Sequence, residues 1–346
     1  MRKYSNNEIK KAGKILAKPL EFSTQEYEDA QNTLTYWRTI HAPAINTFQA
    51  TLRDKLKRYG FKDYLIAQRL KRAVSIVSKL ERFSAMKLST MQDIAGLRAI
   101  LKNIDQVRNL ENSYRTSNFN HLLVDDKDYI SKPAISGYRG IHLVYEYVNP
   151  KNSEANGLKI ELQIRTKLQH TWATAVETMG TFLNHSLKSS QGPGDWLEYF
   201  ALISAGFAIL EKSPVPLQFS GLSEKEIFQK IIDDSITLDV SSKLRAFSVA
   251  GEHIAQNGVN SKYNLITLNL EKRVVNVKNY SARQLEQANI DYTNIEKEIN
   301  KGAQIQAVLV STDSIESLRK TYPSYFLDSH EFLNKLNLIY SRLQKI

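Results

Sequence analysis

Glu161-Leu162-Gln163-Ile164-Arg165-Thr166 sets a carboxylate, an amide and a guanidinium at alternate positions. From Leu158 to Arg165, Leu158, Ile160, Leu162 and Ile164 alternate strictly with Lys159, Glu161, Gln163 and Arg165, the two-residue period of a half-buried strand. The polar face reads as the floor of a phosphate-handling site, and an ordinary solvated strand face accounts for it equally while it stands alone. A second carboxylate opens the run Asp93-Ile94-Ala95-Gly96-Leu97-Arg98 at the mouth of another expected strand. Asp93 and Glu161 would suit magnesium, which takes one or two carboxylates together with substrate phosphates. For Asp93 alone, a helix or turn cap is the alternative.

The counter-charge lies upstream. Arg69 is followed by Lys71, Ser75, Lys79 and Arg82, and on a helix these last four would share one face. Such a stripe could clamp a triphosphate, because like charges at this spacing repel until an anion joins them; a solvated helix face is the alternative. The loop Lys132 to His142 places Tyr138 and Arg139 between Gly137 and Gly140. Tyr138 could stack on a base and Arg139 could hold a phosphate, or the tyrosine could simply pack. His170 and Trp172 read as braces for the sheet. No G-x-x-x-x-G-K-[ST] phosphate loop, nucleophile elbow or His/Cys cluster with metal spacing occurs, so side chains must hold any phosphate.

The elements that would carry these residues form an α+β chain. Residues 24 to 92 read as helical. Strands follow at 97 to 101, 141 to 148 and 158 to 165, with a helix near 104 to 116. Helices return at 166 to 187, 196 to 210 and 224 to 250. Strands at 263 to 270, 272 to 278 and 305 to 310 alternate with helices at 282 to 301 and 331 to 343. This divides the chain into residues 1–212, carrying the chemistry, a helical connector at 213–250 and a smaller unit at 251–346.

Composition narrows the chemistry further. The absence of cysteine excludes disulfides, thiolate metal sites and a cysteine nucleophile. No stretch of eighteen apolar residues and no signal peptide is present, so a soluble cytoplasmic protein with no membrane partner is expected. The net charge of +11 is concentrated at one end: residues 1 to 92 hold 18 Lys and Arg against 8 Asp and Glu, and the remaining 254 hold 29 against 28. A basic segment of this kind suits nucleotide phosphates or an RNA backbone, or is a solvated helix surface.

In this order and at these separations, the four clusters from Arg69 to Glu177 resemble the synthetase domain of the RelA/SpoT family. That resemblance implies a nucleotidyltransferase-like mixed sheet flanked by helices. It also implies a pyrophosphokinase using magnesium and ATP as pyrophosphate donor. Carried over, Arg69 would stack on adenine, and Lys71, Ser75, Lys79 and Arg98 would surround the ATP phosphates. Asp93 and Glu161 would hold magnesium, with Glu161 also activating the attacking hydroxyl. Tyr138, Arg139, His142, Gln163 and Arg165 would line the acceptor site. No His-Asp dipeptide of the family's hydrolase occurs and only 68 residues precede Arg69, so synthesis without hydrolysis is expected.

Housekeeping members read Gly-Tyr-Gln-Ser where this chain has Gly137-Tyr138-Arg139-Gly140. The chain is more similar to the toxic small alarmone synthetases, and above all to the fused toxin-antitoxin CapRel branch. There the C-terminal part is a zinc-finger-like fold lacking zinc, here matched by Ala307 to Val310 and Tyr322 to Phe326. The branch implies pyrophosphate transfer to the 3′-hydroxyl of the tRNA CCA end. It also implies autoinhibition through Tyr322 and Tyr325, and release by a phage protein, typically the capsid. Arg2, Lys3, Lys10, Lys11, Lys14 and Lys18 would then contact tRNA, or form a disordered tail. The alternatives are an alarmone synthetase making (p)ppGpp or (p)ppApp from free nucleotides, and a catalytically silent RNA-binding sensor.

Overall fold

A computed structural model describes residues 3–117, 119–150, 155–183, 187, 190–249, 263–269, 271–272, 274–300, 303–311 and 329–346. The N-terminal half runs α1 (Asn6–Ala17), α2 (Thr24–Thr39), α3 (Ala42–Arg58), β1 (Leu65–Leu70), α4 (Ala73–Arg82), β2 (Ala95–Leu101) and α5 (Ile104–Arg115). It continues through β3 (Leu122–Asp128), β4 (Ile141–Glu146), β5 (Lys159–Thr166), α6 (Lys167–Phe182) and α7 (Gly194–Leu210). The C-terminal part follows as α8 (Glu224–Thr237), α9 (Val240–Val249), β6 (Tyr263–Asn269), β7 (Val274–Tyr280), α10 (Leu285–Asn300), β8 (Ile305–Ser311) and α11 (His330–Leu343). This is the expected α+β class, a mixed sheet flanked by helices.

Local chemistry fixes several boundaries. Ser5 with Glu8, Ser23 with Glu26, Thr166 with Gln169 and Ser223 with Glu226 form reciprocal capping boxes, which satisfy amides that a helix start leaves open. The Thr166 box turns β5 directly into α6. The single helix expected over 224 to 250 is two, because Asp239 adopts φ 49° between them, a left-handed conformation that interrupts a helix.

Two readings are corrected. The helical reading of 24 to 92 misses β1, so Leu65, Ile66 and Leu70 are strand residues and Lys71 lies in the turn before α4. Its apolar run of four to eight residues has no periodicity that separates a buried strand from a helix. β3 was not anticipated either: it is an exposed edge strand of sequence Leu-Leu-Val-Asp-Asp-Lys-Asp, and Asp-rich runs are depleted in strands. The N-terminal lysines lie on a folded segment, since α1 buries Ile9, Ala12, Ile15 and Leu16 in the core.

The strands form one eight-stranded sheet ordered β3-β4-β5-β2-β1-β8-β6-β7. β2 and β5 are parallel and the other neighbours are antiparallel. Leu97, Ala99, Leu143, Tyr145, Leu162 and Ile164 join Phe48, Leu52, Val107 and Leu110 of α3 and α5 in one core. A second core gathers Trp172, Phe200, Phe207, Phe228, Phe332 and Ile339 from α6, α7, α8 and α11.

β8 pairs with β1, setting Arg69 opposite Val310, so the C-terminal strands continue the sheet rather than forming a separate one. A buried ion pair reinforces the junction: Arg38 Nη1 lies 2.7 Å from Glu296 Oε2. Glu296 Oε1 also accepts from the Ala73 amide at 2.8 Å, capping α4 across the junction because Arg72 supplies no side-chain cap of its own. Glu296→Ala is expected to weaken this junction by about 1–3 kcal/mol, limited by local opening that hydrates Arg38. Faster hydrogen exchange at the Ala73 to Ile76 amides, with the α5 amides unchanged, checks it.

Candidate active site

Sheet register assembles the site. Directly opposed residues share a face, and one row across the sheet reads Arg69, Gly96, Glu161 and Val144. The next reads Ala67, Arg98, Gln163 and His142, and Ile100 with Arg165 begins a third. Arg69, Arg98, Glu161, Gln163, Arg165 and His142 therefore all stand on the face opposite the apolar core. Gly96 has no side chain and leaves open floor between Arg69 and Glu161.

Asp93 sits in the turn before β2 and gathers the lysines. Lys71 Nζ lies 2.6 Å from its Oδ2 and Lys79 Nζ 3.0 Å from its Oδ1. Burial pushes the Asp93 carboxyl up, but the two ammonium groups outweigh it and hold it below its ordinary value. Burial lowers Lys71 despite that partner. Ser75 stands one turn before Lys79 on α4. Lys71 and Lys79 thus converge on Asp93, although Lys71 does so from the turn rather than from a helical stripe.

Glu161 is held from two sides. Its Oε1 lies 2.9 Å from His142 Nδ1, and its Oε2 accepts from Gln163 Nε2 at 2.8 Å. Burial raises its pKa, and the His142 hydrogen bond and charge more than reverse that, so Glu161 is ionised at neutral pH. Burial disfavours the His142 charge, but Tyr138 and Glu161 push its pKa up to about 9. Tyr138 Oη lies 2.6 Å from His142 Nε2, which ties the loop expected to hold the acceptor to the ionised carboxylate. Tyr129, absent from the sequence reading because β3 was, packs edge-on against Tyr138 and His142 at 5.4 and 5.5 Å.

Asp93 and Glu161 feel each other's charge and present only hard oxygens, a donor set that fits magnesium completed by phosphate and water. Among the described residues no cluster of three His, Cys, Asp or Glu forms a metal site.

Arg139 is a correction. Its side chain turns away from the acceptor face and is 2% exposed. Its Nη1 pairs with Glu211 at 2.7 Å and its Nε donates to Ser204 at 3.2 Å. Gly137 explains the direction: a Cβ there would lie 2.9 Å from Ala201 Cα, and its φ is +86°, so the loop is pressed onto α7 and only glycine fits. Trp172 braces α6 against α7 rather than against the sheet, its Nε1 donating to Phe200 O at 2.7 Å. Tyr322 and Tyr325 lie outside the described residues. Arg69 borders a cleft shared with Tyr263, Tyr292 and Val310.

Residues 68–181 match the model of the region found in RelA/SpoT proteins. The chain is 37% identical over 149 residues to GTP pyrophosphokinase YjbM of Bacillus subtilis, covering 40% of this chain and 70% of that protein. The chain belongs to the RelA/SpoT family. Another relative, GTP pyrophosphokinase YwaC of the same organism, is 32% identical over 125 residues, covering 34% of this chain and 59% of that one. Small alarmone synthetase 1 from Bacillus subtilis, solved with its product pppGpp, overlays with a TM-score of 0.45 at 25% identity, covering 51% of this chain and 92% of that one. The RelA/SpoT match spans β1 to α6, the elements whose register assembles the site.

Proposed function

We propose that this RelA/SpoT chain is a pyrophosphokinase that transfers the β,γ-pyrophosphate of ATP to the ribose 3′-hydroxyl of a free guanosine nucleotide. The observation that carries it is the row holding Arg69 and the ionised Glu161 on either side of Gly96, with Asp93, Lys71 and Lys79 at its end. In this reading the acceptor 3′-oxygen forms a bond to the β-phosphorus as the bond from that phosphorus to the α,β-bridging oxygen breaks. AMP leaves, and Glu161 takes the hydroxyl proton. Lys71, Ser75, Lys79 and Arg98 neutralise the phosphates, which is most of what phosphoryl transfer asks of a protein. Magnesium held by Asp93 and Glu161 would supply further neutralisation. The departure at Arg139 weighs little against a guanosine nucleotide, because that side chain is committed to Glu211.

A second reading takes the tRNA CCA end as acceptor. It is favoured by α1, which packs beside α2 and α4 and turns Lys11, Lys14 and Lys18 to solvent. In that reading the C-terminal unit, joined to β1 beside Arg69, silences the enzyme until a phage protein displaces it.

Incubation with γ-labelled ATP and GDP, GTP or tRNA tests both. Label on GDP or GTP with release of AMP is the expected result, and label on tRNA alone would replace the first reading by the second. Transfer to none of them would leave a binding module.

A further inference from the structure

Among the described residues three arginines are buried: Arg38, Arg139 and Arg165. The first two each have a carboxylate at 2.7 Å. Arg165 does not: its Nε and Nη1 have no hydrogen-bond partner among the described residues. The charges around it include Arg98 and Arg69, which repel it, while Tyr138 and Glu177 act on it as attractions without a hydrogen bond. Burial accordingly drives its pKa down to about 9. A desolvated, unpaired guanidinium is strongly unfavourable, and a bidentate oxyanion is the partner whose geometry fits it.

Its place in the fold says which oxyanion. Arg165 stands four residues beyond Glu161 on the same face of β5, roughly 13 Å along the strand, and its long side chain can close part of that gap. It lies under the acceptor loop, since a Cβ on Gly140 would sit 3.3 Å from Tyr138 Oη and 3.6 Å from Arg165 Cβ. Arg165 and the Tyr138 hydroxyl thus flank one glycine, on the sheet face that carries Glu161.

We propose that Arg165 is the subsite for the phosphate on the 5′ side of the acceptor ribose, an inference that rests on the pyrophosphate-transfer reading above. The same chemistry is offered by a nucleoside diphosphate and by the phosphodiester of a terminal RNA nucleotide. Arg165 thereby makes a bare nucleoside a poor acceptor.

The test uses the full chain, wild type, Arg165→Gln and Arg165→Lys, with matched acceptors: GDP against guanosine, and the trinucleotide CCA against adenosine. Wild type is expected to prefer the phosphorylated member of the pair it uses, and that pair names the source. Arg165→Gln should lose roughly 10- to 100-fold in kcat/KM on that member and little on its unphosphorylated counterpart, with Arg165→Lys between. Equal losses on both members would overturn the subsite. Transfer by wild type to none of the four would instead count against the pyrophosphate reading, and melting curves then decide Arg165. Without ligand, Arg165→Gln should melt above wild type, and GDP should stabilise wild type more than the variant. An Arg165→Gln chain that melts lower, or is stabilised equally by GDP, would overturn the inference.

Discussion

Glu161→Gln is expected to lower pyrophosphate transfer by roughly 10²- to 10⁴-fold, the range for loss of a positioned general base. The amide has nearly the carboxylate's shape, so ATP affinity, measured by equilibrium binding, should change far less than turnover. The variant also releases His142. In wild type His142 Nδ1 donates to Glu161 at 2.9 Å and its pKa stands at about 9 against an ordinary 6.5. A raised folded-state pKa contributes stability that is complete below the unfolded value and lost as pH rises through the folded one. Wild type, studied without magnesium, should therefore lose stability between pH 6.5 and about 9, and Glu161→Gln should show a flatter profile there. NMR titration of the His142 ring checks the same point: a variant ring still titrating near 9 would show that Glu161 is not what holds its charge.

Glu211→Ala is expected to destabilise the fold by about 3–5 kcal/mol, because it leaves the buried Arg139 charge without its partner. The carboxylate of Glu211 also accepts from Thr166 Oγ1 and Gln169 Nε2, so its loss loosens the start of α6 as well. The paired change Arg139→Met with Glu211→Leu should recover most of that loss, since apolar replacement of a whole buried pair is often neutral. Denaturant melts of the two variants measure the difference. If Glu211→Ala cost no more than the paired change, the Arg139 ion pair would not be what holds the Gly137–Gly140 loop on α7.

The polar face of β5 was more legible in the sequence than the strands beside it. The alternation of Leu158 to Arg165 placed Glu161, Gln163 and Arg165 on one face, because side-chain direction in a strand follows from position alone. Lys71 does stand beside Lys79 on Asp93, but it reaches there from the turn before α4 and not from a helix. The strand holding Leu65 to Leu70 is too short for local periodicity to separate it from helix. Arg139 was misread because a cation between two glycines gives no sign of the direction it takes. That direction depends on Ser204 and Glu211, 65 and 72 residues away.

By itself the sequence determined the residue types, the polar face of β5 and the absence of cysteine chemistry. Those follow from local alternation and from functional groups that need no partner to be recognised. Only the tertiary structure decided that Lys71 and Lys79 meet on Asp93, that β8 and Glu296 join the C-terminal unit to β1 and α4, and that among the described buried arginines Arg165 alone has no carboxylate. Each is a contact between distant segments, fixed by sheet register and by which helices pack together. A buried charge also has energetic meaning only once its surroundings are known, and this is what separates Arg139 from Arg165.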